Sequence, residues 1–400
     1  MESIEKTAQE RYEAMKEYRH HYLDRSRKCS ELTLPAVLPD ETVGPHAELY
    51  TPYQSVGARG VNNLASKLLL LLLPPNQPFF RLVTSGSTKE EMEQSPEVKT
   101  EIERSLAKIE REVMSEIEQL AIRVPVYEAL KHLIITGNCL MHMPKKGAMR
   151  IFALNQYVCR RDAEGGILEL IVKESVSPLT LDDDIKELVL ASDSYKEKKS
   201  TDSCDLYTRI CLVEKDKFYV CQEINKIKIP KSEGYYKRDD MPWNALRMVR
   251  VDGEDYGRSY VEEYLGDLTS LEGLSEALVQ SAAASSKVVF MVAPNATTRK
   301  RDLATANNGD IITGSPNDIS VLQTDKQYDL RVVADAIQRF EQRMNYAFLL
   351  NTAVQREAER VTAQEIRYMA NELETALGGV YSLLSVSYTH LTLPTSHNVG

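Results

Sequence analysis

No stretch of the 400-residue sequence is apolar for long enough to cross a bilayer. The longest run, Leu68 to Leu73, is closed by Pro74 and Pro75. It falls far short of the ~20 residues a membrane helix needs, and it reads as the buried end of a helix. The opening residues, Met1-Glu2-Ser3-Ile4-Glu5-Lys6, lack the charged-then-apolar layout of a secretory signal. Cys29, Cys139, Cys159, Cys204, Cys211 and Cys221 include no Cys-x-x-Cys pair. The last three stand too far apart for a compact zinc knuckle, and no histidine lies near them. Free thiols in a reducing cytoplasm are expected.

Catalytic signatures are missing too. There is no Walker A pattern, no dinucleotide glycine fingerprint, no His-Glu-x-x-His and no Gly-x-Ser-x-Gly. Without a nucleotide site the subunit cannot itself power movement of anything. Gly57-Ala58-Arg59-Gly60 before a helix could cradle a phosphate or could be a tight turn needed for packing. Asp182-Asp183-Asp184 could bind a divalent cation or cap a helix. His20, His21, His132 and His142 have no carboxylates or thiols at ligand spacing and read as surface or core histidines. No metal and no cofactor are expected, and no enzyme activity.

A basic excess is also lacking. Forty-nine Lys and Arg stand against 59 Asp and Glu, a formal net charge of −10. A static DNA binder shows a basic patch or stripe, so a repressor is disfavoured. Net acidity is compatible with a conduit, because many phosphate contacts would brake sliding DNA. One local basic cluster remains, Arg299-Lys300-Arg301.

What is present is mostly helical pattern. With 42% hydrophobic and 27% charged residues the chain is ordinary for a folded protein, and its length could hold two or three modules. Residues 2–27 carry Ile4, Ala8, Tyr12, Met15, Tyr18 and Tyr22 at helical spacing, before Pro35, Pro39 and Pro45 break the pattern. A second helix runs from Ser55 to Pro74. Phe79, Phe80, Leu82 and Val83 suggest a short strand. Residues 96–121 and Tyr127 to Thr136 are helical, the latter ending near Gly137.

The period then changes. Residues 150–159 and 167–176 flank the turn Asp162-Ala163-Glu164-Gly165-Gly166 and predict a β-hairpin. A short helix is expected over 183–191, and strands over 206–213 and 218–222. Residues 137–255 therefore read as a β-rich module between helical parts. From Gly257 a helix about 40 Å long reaches Ala284. A small interruption, 285–324, holds strand candidates at 288–292, near Ile311 and near Val321. Helix resumes through Val333, Ile337, Phe340, Met344 and Phe348. After the polar stretch 351–361, Thr362 and Glu365 form a capping box for a third helix. Its stripe is Ile366, Met369, Leu373, Leu377, Val380 and Leu384.

Three blocks carry a resemblance. They are Thr51-Pro-Tyr-Gln-Ser-Val-Gly-Ala-Arg-Gly-Val-Asn-Asn-Leu-Ala-Ser-Lys67; Met248-Val-Arg-Val-Asp-Gly-Glu-Asp-Tyr-Gly-Arg-Ser-Tyr-Val-Glu-Glu-Tyr-Leu-Gly-Asp267; and Ala353-Val-Gln-Arg-Glu-Ala-Glu-Arg-Val-Thr-Ala-Gln-Glu-Ile-Arg367 with Leu377-Gly-Gly-Val-Tyr-Ser-Leu-Leu384. Through them the chain, to about Ser385, resembles the portal, or head-to-tail connector, family of short-tailed phages.

The resemblance implies an α+β, mainly helical fold in a ring-forming subunit, dodecameric in that family. Residues 1–256 would be a wing containing the β-rich module, 257–284 and 326–350 a two-helix stem, and 285–324 a small α/β clip. Residues 351–361 would be a channel-lining tunnel loop and 362–385 a wing helix. In the loop Gln355, Arg356, Glu357, Glu359 and Arg360 mix both signs, as side chains brushing passing DNA would, or as any solvated loop does. Arg299, Lys300 and Arg301 would touch DNA or an acidic face of the packaging motor, or simply be solvated. The implied partners are further copies of the chain, the terminase motor, capsid and scaffolding proteins, a tail adaptor, and double-stranded DNA passing non-specifically; no membrane is implied. The implied location is the capsid vertex of the virion, after assembly in the host cytoplasm.

Beyond Ser385 the helical period stops. Val386-Ser-Tyr-Thr-His-Leu-Thr-Leu-Pro-Thr395 looks like the translation of a transposon adapter end used in sequencing libraries. Residues 386–400 are therefore expected to be non-native, with the family's crown lying beyond them. Two rival classes are a different head–tail structural protein and a packaging-associated nuclease. The nuclease would need clustered carboxylates for metal ions, and none can be placed.

Overall fold

The computed structural model describes residues 6–40, 44, 48–74, 78–83, 96–144, 147–178, 181, 185–186, 203–285, 289–307, 309–322, 327–350 and 371. The helix α1 (Ala8–Glu31) begins where the Thr7 hydroxyl accepts the Glu10 N–H. It buries Ala8, Tyr12, Met15, Arg19, Leu23, Ser26, Cys29 and Ser30, one side chain every three or four residues. The expected helix ended at residue 27. The observed one continues because Cys29 and Ser30 still face the core.

Three helices follow: α2 (Val56–Leu72), α3 (Pro96–Gln119) and α4 (Arg123–Thr136). The leucine run is the buried end of α2, as expected. Gly137 ends α4 with φ +73, a conformation open to glycine. The segment around Phe79 to Val83 is not a strand. Among the described residues it has no ladder partner; Leu82 N–H instead donates to Glu110 of α3 (2.6 Å), and Phe79 and Phe80 lean on the main core.

The middle of the chain is β-rich, in two sheets. The smaller has the order β2-β1-β9, all antiparallel, from β1 (Asn138–His142), β2 (Arg150–Phe152) and β9 (Trp243–Arg247). The larger has the order β3-β4-β5-β6-β7, from β3 (Tyr157–Arg161), β4 (Ile167–Val176), β5 (Cys204–Glu214), β6 (Lys217–Ile224) and β7 (Ile227–Lys228). β8 (Gly234–Lys237) also pairs with β6.

The predicted hairpin is β3–β4. Its first arm is shorter than expected: Leu154–Gln156 makes a 3-10 turn that carries the chain from one sheet to the other, so 150–159 is two strands. β1 and β9 were not foreseen. β1 is central in its sheet and its residues Asn138 to Met141 are buried, which erases the alternation a sequence shows.

α1 lies across the larger sheet through charge as well as packing. Glu169 of β4 accepts Arg209 Nε (2.9 Å) and Arg11 Nε (3.3 Å), and the Arg11 bond holds that guanidinium's pKa above its usual value. One buried carboxylate thus joins a helix to two strands, an arrangement that favours a single register. All six cysteines are buried free thiols, as expected, and burial lifts Cys29, Cys159 and Cys221 to about 11.

The chain then turns helical. α5 (Tyr260–Glu263) and α6 (Leu265–Ser285) form the expected helix from 257, interrupted at Tyr264. β10 (Val289–Val292) and β11 (Ile319–Leu322) pair antiparallel, with the short α7 (Lys300–Thr305) between them. No strand forms at Ile311, which is fully exposed. α8 (Gln327–Ala347) then packs back along α6. Arg343 near its end pairs with Asp267 near the start of α6, so the two run antiparallel for roughly 30 Å. The helix expected at 183–191 lies almost wholly outside the described residues; 351–361, 362–385 and 386–400 lie outside them apart from Asn371.

Gly57-Ala58-Arg59-Gly60 is the first turn of α2. The Gly57 N–H is taken by Gln54 Oε1 (2.8 Å), and a Cβ there would sit 2.3 Å from Leu32 O. A Cβ on Gly60 would lie 2.4 Å from the Phe348 ring. The packing role holds and the phosphate cradle does not. Gly60→Ala is therefore expected to cost about 1–3 kcal/mol by overpacking, seen as a lower urea midpoint. Adding Phe348→Leu to that variant should recover part of the loss.

Candidate functional site

The first two sequence blocks meet at one place, the C-terminal end of α8; the third lies outside the described residues. A helix leaves its last four carbonyls without intrahelical donors. Here each finds one. Met344 O accepts Phe348 N–H (2.9 Å), Asn345 O accepts Leu350 N–H (2.8 Å), and Tyr346 O accepts Leu349 N–H (3.2 Å). Ala347 O accepts the Tyr260 hydroxyl at 2.7 Å.

Side chains of α2 continue the series past the helix. Asn63 Nδ2 donates to Phe348 O (2.9 Å) and Leu349 O (3.1 Å), and Lys67 Nζ donates to Leu349 O (2.9 Å). Lys67 is buried, and Phe348 is fully buried between α2 and the Tyr260 and Tyr264 rings. Leu349 sits at φ +54, a left-handed conformation that costs a non-glycine residue about 1–2 kcal/mol.

The first block is anchored at its other end by Glu272 of α6. Its buried carboxylate accepts the Tyr50 hydroxyl (2.5 Å), Tyr53 N–H (2.8 Å) and Gln54 N–H (3.2 Å). That bond pushes the Tyr50 hydroxyl up to about 12. The second block is a junction between sheet and helices. Asn138 exchanges two hydrogen bonds with the Gly257 backbone (2.7 and 2.9 Å), and Cys159 N–H donates to the Tyr256 hydroxyl (2.9 Å). Ser259 caps α5 through Glu262 N–H (2.9 Å), and Arg258 lies between Glu254 (2.6 Å) and Glu262 (3.0 Å).

At the far end of the helix pair, Asp318 Oδ2 gathers the N–H and hydroxyl of both Thr297 and Thr298 within 3.1 Å. Those bonds hold its carboxyl below the usual range. Arg299, Lys300 and Arg301 are exposed, at the N-cap and first turn of α7. Gln355, Arg356, Glu357, Glu359 and Arg360 lie outside the described residues, as does Asp182-Asp183-Asp184. The blocks contained Asn63, Lys67 and Tyr260 without marking their role. The available signal was a lysine embedded in the apolar run of α2, and a buried lysine demands acceptors. Glu272 carried no such signal.

Among the described residues no three metal-ligating side chains cluster, and no helix is long and apolar enough to cross a membrane. His20 pairs with Asp24 at 3.4 Å on the surface. His142 stacks on Trp243, ring centroids 4.6 Å apart, and His132 is buried in α4. Burial depresses both imidazoles to about 4.

The bacteriophage head to tail connecting protein family matches residues 5–389. The chain belongs to that family. Among similar connecting proteins, the portal protein of Escherichia phage T7 is 42% identical over 380 residues, 94% of this chain and 70% of the relative. That of Enterobacteria phage SP6 is 31% identical over 94% of this chain and 72% of the relative. That of Pseudomonas phage phiKMV is 30% identical over 90% and 71%. The role is that of a portal protein of the phage head, a virion component at the head–tail junction. A solved structure, the neck of a native GTA particle computed with C12 symmetry, matches at a TM-score of 0.35 and 8% identity over 84% of this chain and 77% of that one. That likeness is too slight to carry fold or symmetry across.

In this connecting protein the buried histidines set an acid limit. His132 binds a proton near 6.5 when unfolded and only near 4 when folded, and its Nδ1 has no hydrogen-bond partner. Its neutral burial is fully favourable above about 6.5 and is lost as pH falls toward 4, a penalty of order 3 kcal/mol when complete. His132→Leu should flatten the fall in urea midpoint between pH 6.5 and 4.5 relative to the parent.

Proposed function

We propose that the chain is a non-enzymatic ring subunit that encloses an axial channel for double-stranded DNA during packaging, head–tail joining and ejection. Family membership supports the setting. The observation that carries the channel reading is the order long helix, small β-ribbon module, long helix, with the two helices antiparallel and the module at one end.

On this reading α6 and α8 are the stem within 257–284 and 326–350, and 285–324 is the clip. Residues 1–256 with 362–385 form the wing, and 351–361 is the tunnel loop. The exposed side of α8 presents a groove of about 480 Å³ lined by Val332, Asp335, Ala336, Arg339, Phe340 and Arg343. A neighbouring subunit in a ring, twelve by family resemblance, covers this mixed face. The lumen keeps charges of both signs, so DNA meets no strong net pull.

The clip cluster suits docking. Cations at a helix N-terminus oppose the helix dipole, so Arg299, Lys300 and Arg301 gain nothing there from α7. An acidic face of the terminase motor or the DNA itself is their partner, with capsid, scaffolding and tail adaptor proteins contacting other faces. Assembly takes place in the host cytoplasm.

Negative-stain images of the purified protein should show rings with a central opening. A lone globule, or magnesium-dependent cleavage of DNA, overturns the proposal. Within rings, Arg356→Glu with Arg360→Glu should shorten packaged DNA; unchanged packaging removes both from the channel. Neutralising Arg299, Lys300 and Arg301 together should abolish motor docking while rings persist.

A further inference from the structure

We infer that Arg247 and Arg250, backed by Arg161, form a binding site for phosphate groups at the turn that joins β3 to β4. None of these side chains belongs to the junction at the end of α8 or to the cluster at the start of α7. The inference goes beyond the channel reading and needs no ring.

The turn is held tightly. Asp162 N–H donates to Gly166 O (2.9 Å), Gly165 N–H donates to Asp162 O (3.0 Å), and Asp162 Oδ1 accepts Gly166 N–H (2.6 Å). Gly165, at φ +90, has no Cβ, and two guanidinium groups fill the space that one would take. A Cβ there would lie 2.6 Å from Arg247 Nη2 and 3.2 Å from Arg250 Cζ. Arg161 reaches the same residue, donating from Nη1 to Gly165 O (2.9 Å). Three guanidinium groups thus meet at one glycine.

The carboxylates nearby are engaged elsewhere. Asp255 Oδ1 accepts the Arg161 backbone N–H (2.7 Å), while the Arg161 guanidinium donates to carbonyls, Nε to Asp255 O (2.9 Å) and Nη2 to Ala245 O (2.7 Å). Glu254 is gripped by Arg258 through Nε (3.0 Å) and Nη2 (2.6 Å). Glu164 of the turn is exposed and pairs with none of the three. Asp252 stands 3.4 Å from Arg250, but both are exposed, and such a pair adds little.

Arg247 donates from Nη1 to Glu254 O (2.9 Å), and among the described residues nothing accepts from its Nε and Nη2. Those two groups form the edge by which Arg258 holds Glu254 and Arg11 holds Glu169, a fork that fits a carboxylate or a phosphate. Burial, and then the charges of Arg161 and Arg250, hold the Arg247 pKa below its usual value, so the cations there outweigh Asp255. Phosphate fits this place better than a carboxylate. Asp162 and Asp255 already stand beside the cluster without forking to it, and three cations match the higher charge and the several acceptor oxygens of a phosphate. A fourth arginine, Arg238, lies against Gly166, where a Cβ would meet its Nη2 at 2.5 Å and Asp162 Oδ2 at 2.7 Å. It has a carboxylate beside it and serves as the control.

The test titrates the full chain with pyrophosphate by calorimetry at low salt. The parent should bind saturably, and Arg247→Gln and Arg250→Gln should each weaken binding about tenfold, the loss of one charge-assisted contact. Arg238→Gln should leave it unchanged. Arg250 makes only a surface ion pair, so its variant keeps the parent's urea midpoint whatever becomes of Arg247→Gln. Competition names the source of the phosphate: a short DNA duplex that displaces pyrophosphate identifies the DNA backbone, and one that does not identifies a free phosphate compound. Three results each overturn the inference: no saturable binding, equal affinity in Arg250→Gln and parent, or oligoglutamate bound more tightly than pyrophosphate.

Discussion

Everything on the helical side of the molecule depends on one close approach, the contact of α2 with the end of α8. Only a residue without a Cβ lets the α2 backbone come near enough for the Phe348 ring to seat on it at Gly60. That proximity brings Asn63 and Lys67, one and two turns further along α2, within hydrogen-bond reach of Phe348 O and Leu349 O. The apolar and the polar parts of the junction are therefore not independent. Spacing on one helix ties ring packing, lysine burial and carbonyl capping to a single interhelical distance. Burying an ammonium is costly unless its protons find acceptors, so a small retreat of α2 loses both the ring packing and the hydrogen bond from Lys67 to Leu349 O.

The sheet side is joined to this junction through a short path. Gly137 and Gly257 face each other where α4 passes into β1 and where the second block passes toward α5; a Cβ on Gly257 would lie 2.8 Å from Gly137 O. Asn138 seals the contact by using its amide as both donor and acceptor to the Gly257 backbone. Two residues later Ser259 starts α5, which presents Tyr260 to the end of α8. The β-rich part thus sets the position of the tyrosine that caps a helix nearly ninety residues further along the chain.

Legibility from sequence followed how local each signal was. α3 was readable because its apolar residues repeat every three or four positions, and α2 and α4 because apolar segments end at Pro74 and Gly137. β5 and β6 were readable from β-branched content around a tight turn. β1 was not, because burial of Asn138 to Met141 removes the alternation that marks a strand, and β9 was not, because its partner β1 lies about a hundred residues away. The segment from Phe79 looked like a strand by composition, yet among the described residues no backbone offers it a ladder. Among site residues, the basic cluster was visible as a charge run. The caps on the end of α8 were not, because Asn63 and Lys67 acquire their meaning only from carbonyls some 285 positions away.

The charge balance takes on a different sense once the fold is known. The net −10 of the sequence says little about any one surface, because several of the charges are spent internally. Glu169 pairs with both Arg209 and Arg11 beneath α1, Glu272 accepts from backbone donors of the first block, and Lys67 donates to a carbonyl. Arg19 is fully buried under α1, donating to Tyr157 O and the Tyr12 hydroxyl with its guanidinium over the Tyr12 ring. Charges used in this way fix how helices sit on sheets and on one another, and they project little field into solvent. The basic residues that remain outward and clustered, at the start of α7, therefore stand out more against an acidic chain than a count of Lys and Arg suggests. Buried charges of this kind hold the architecture by fixing helix to sheet, and the charge that the described surface shows is set by the residues left exposed.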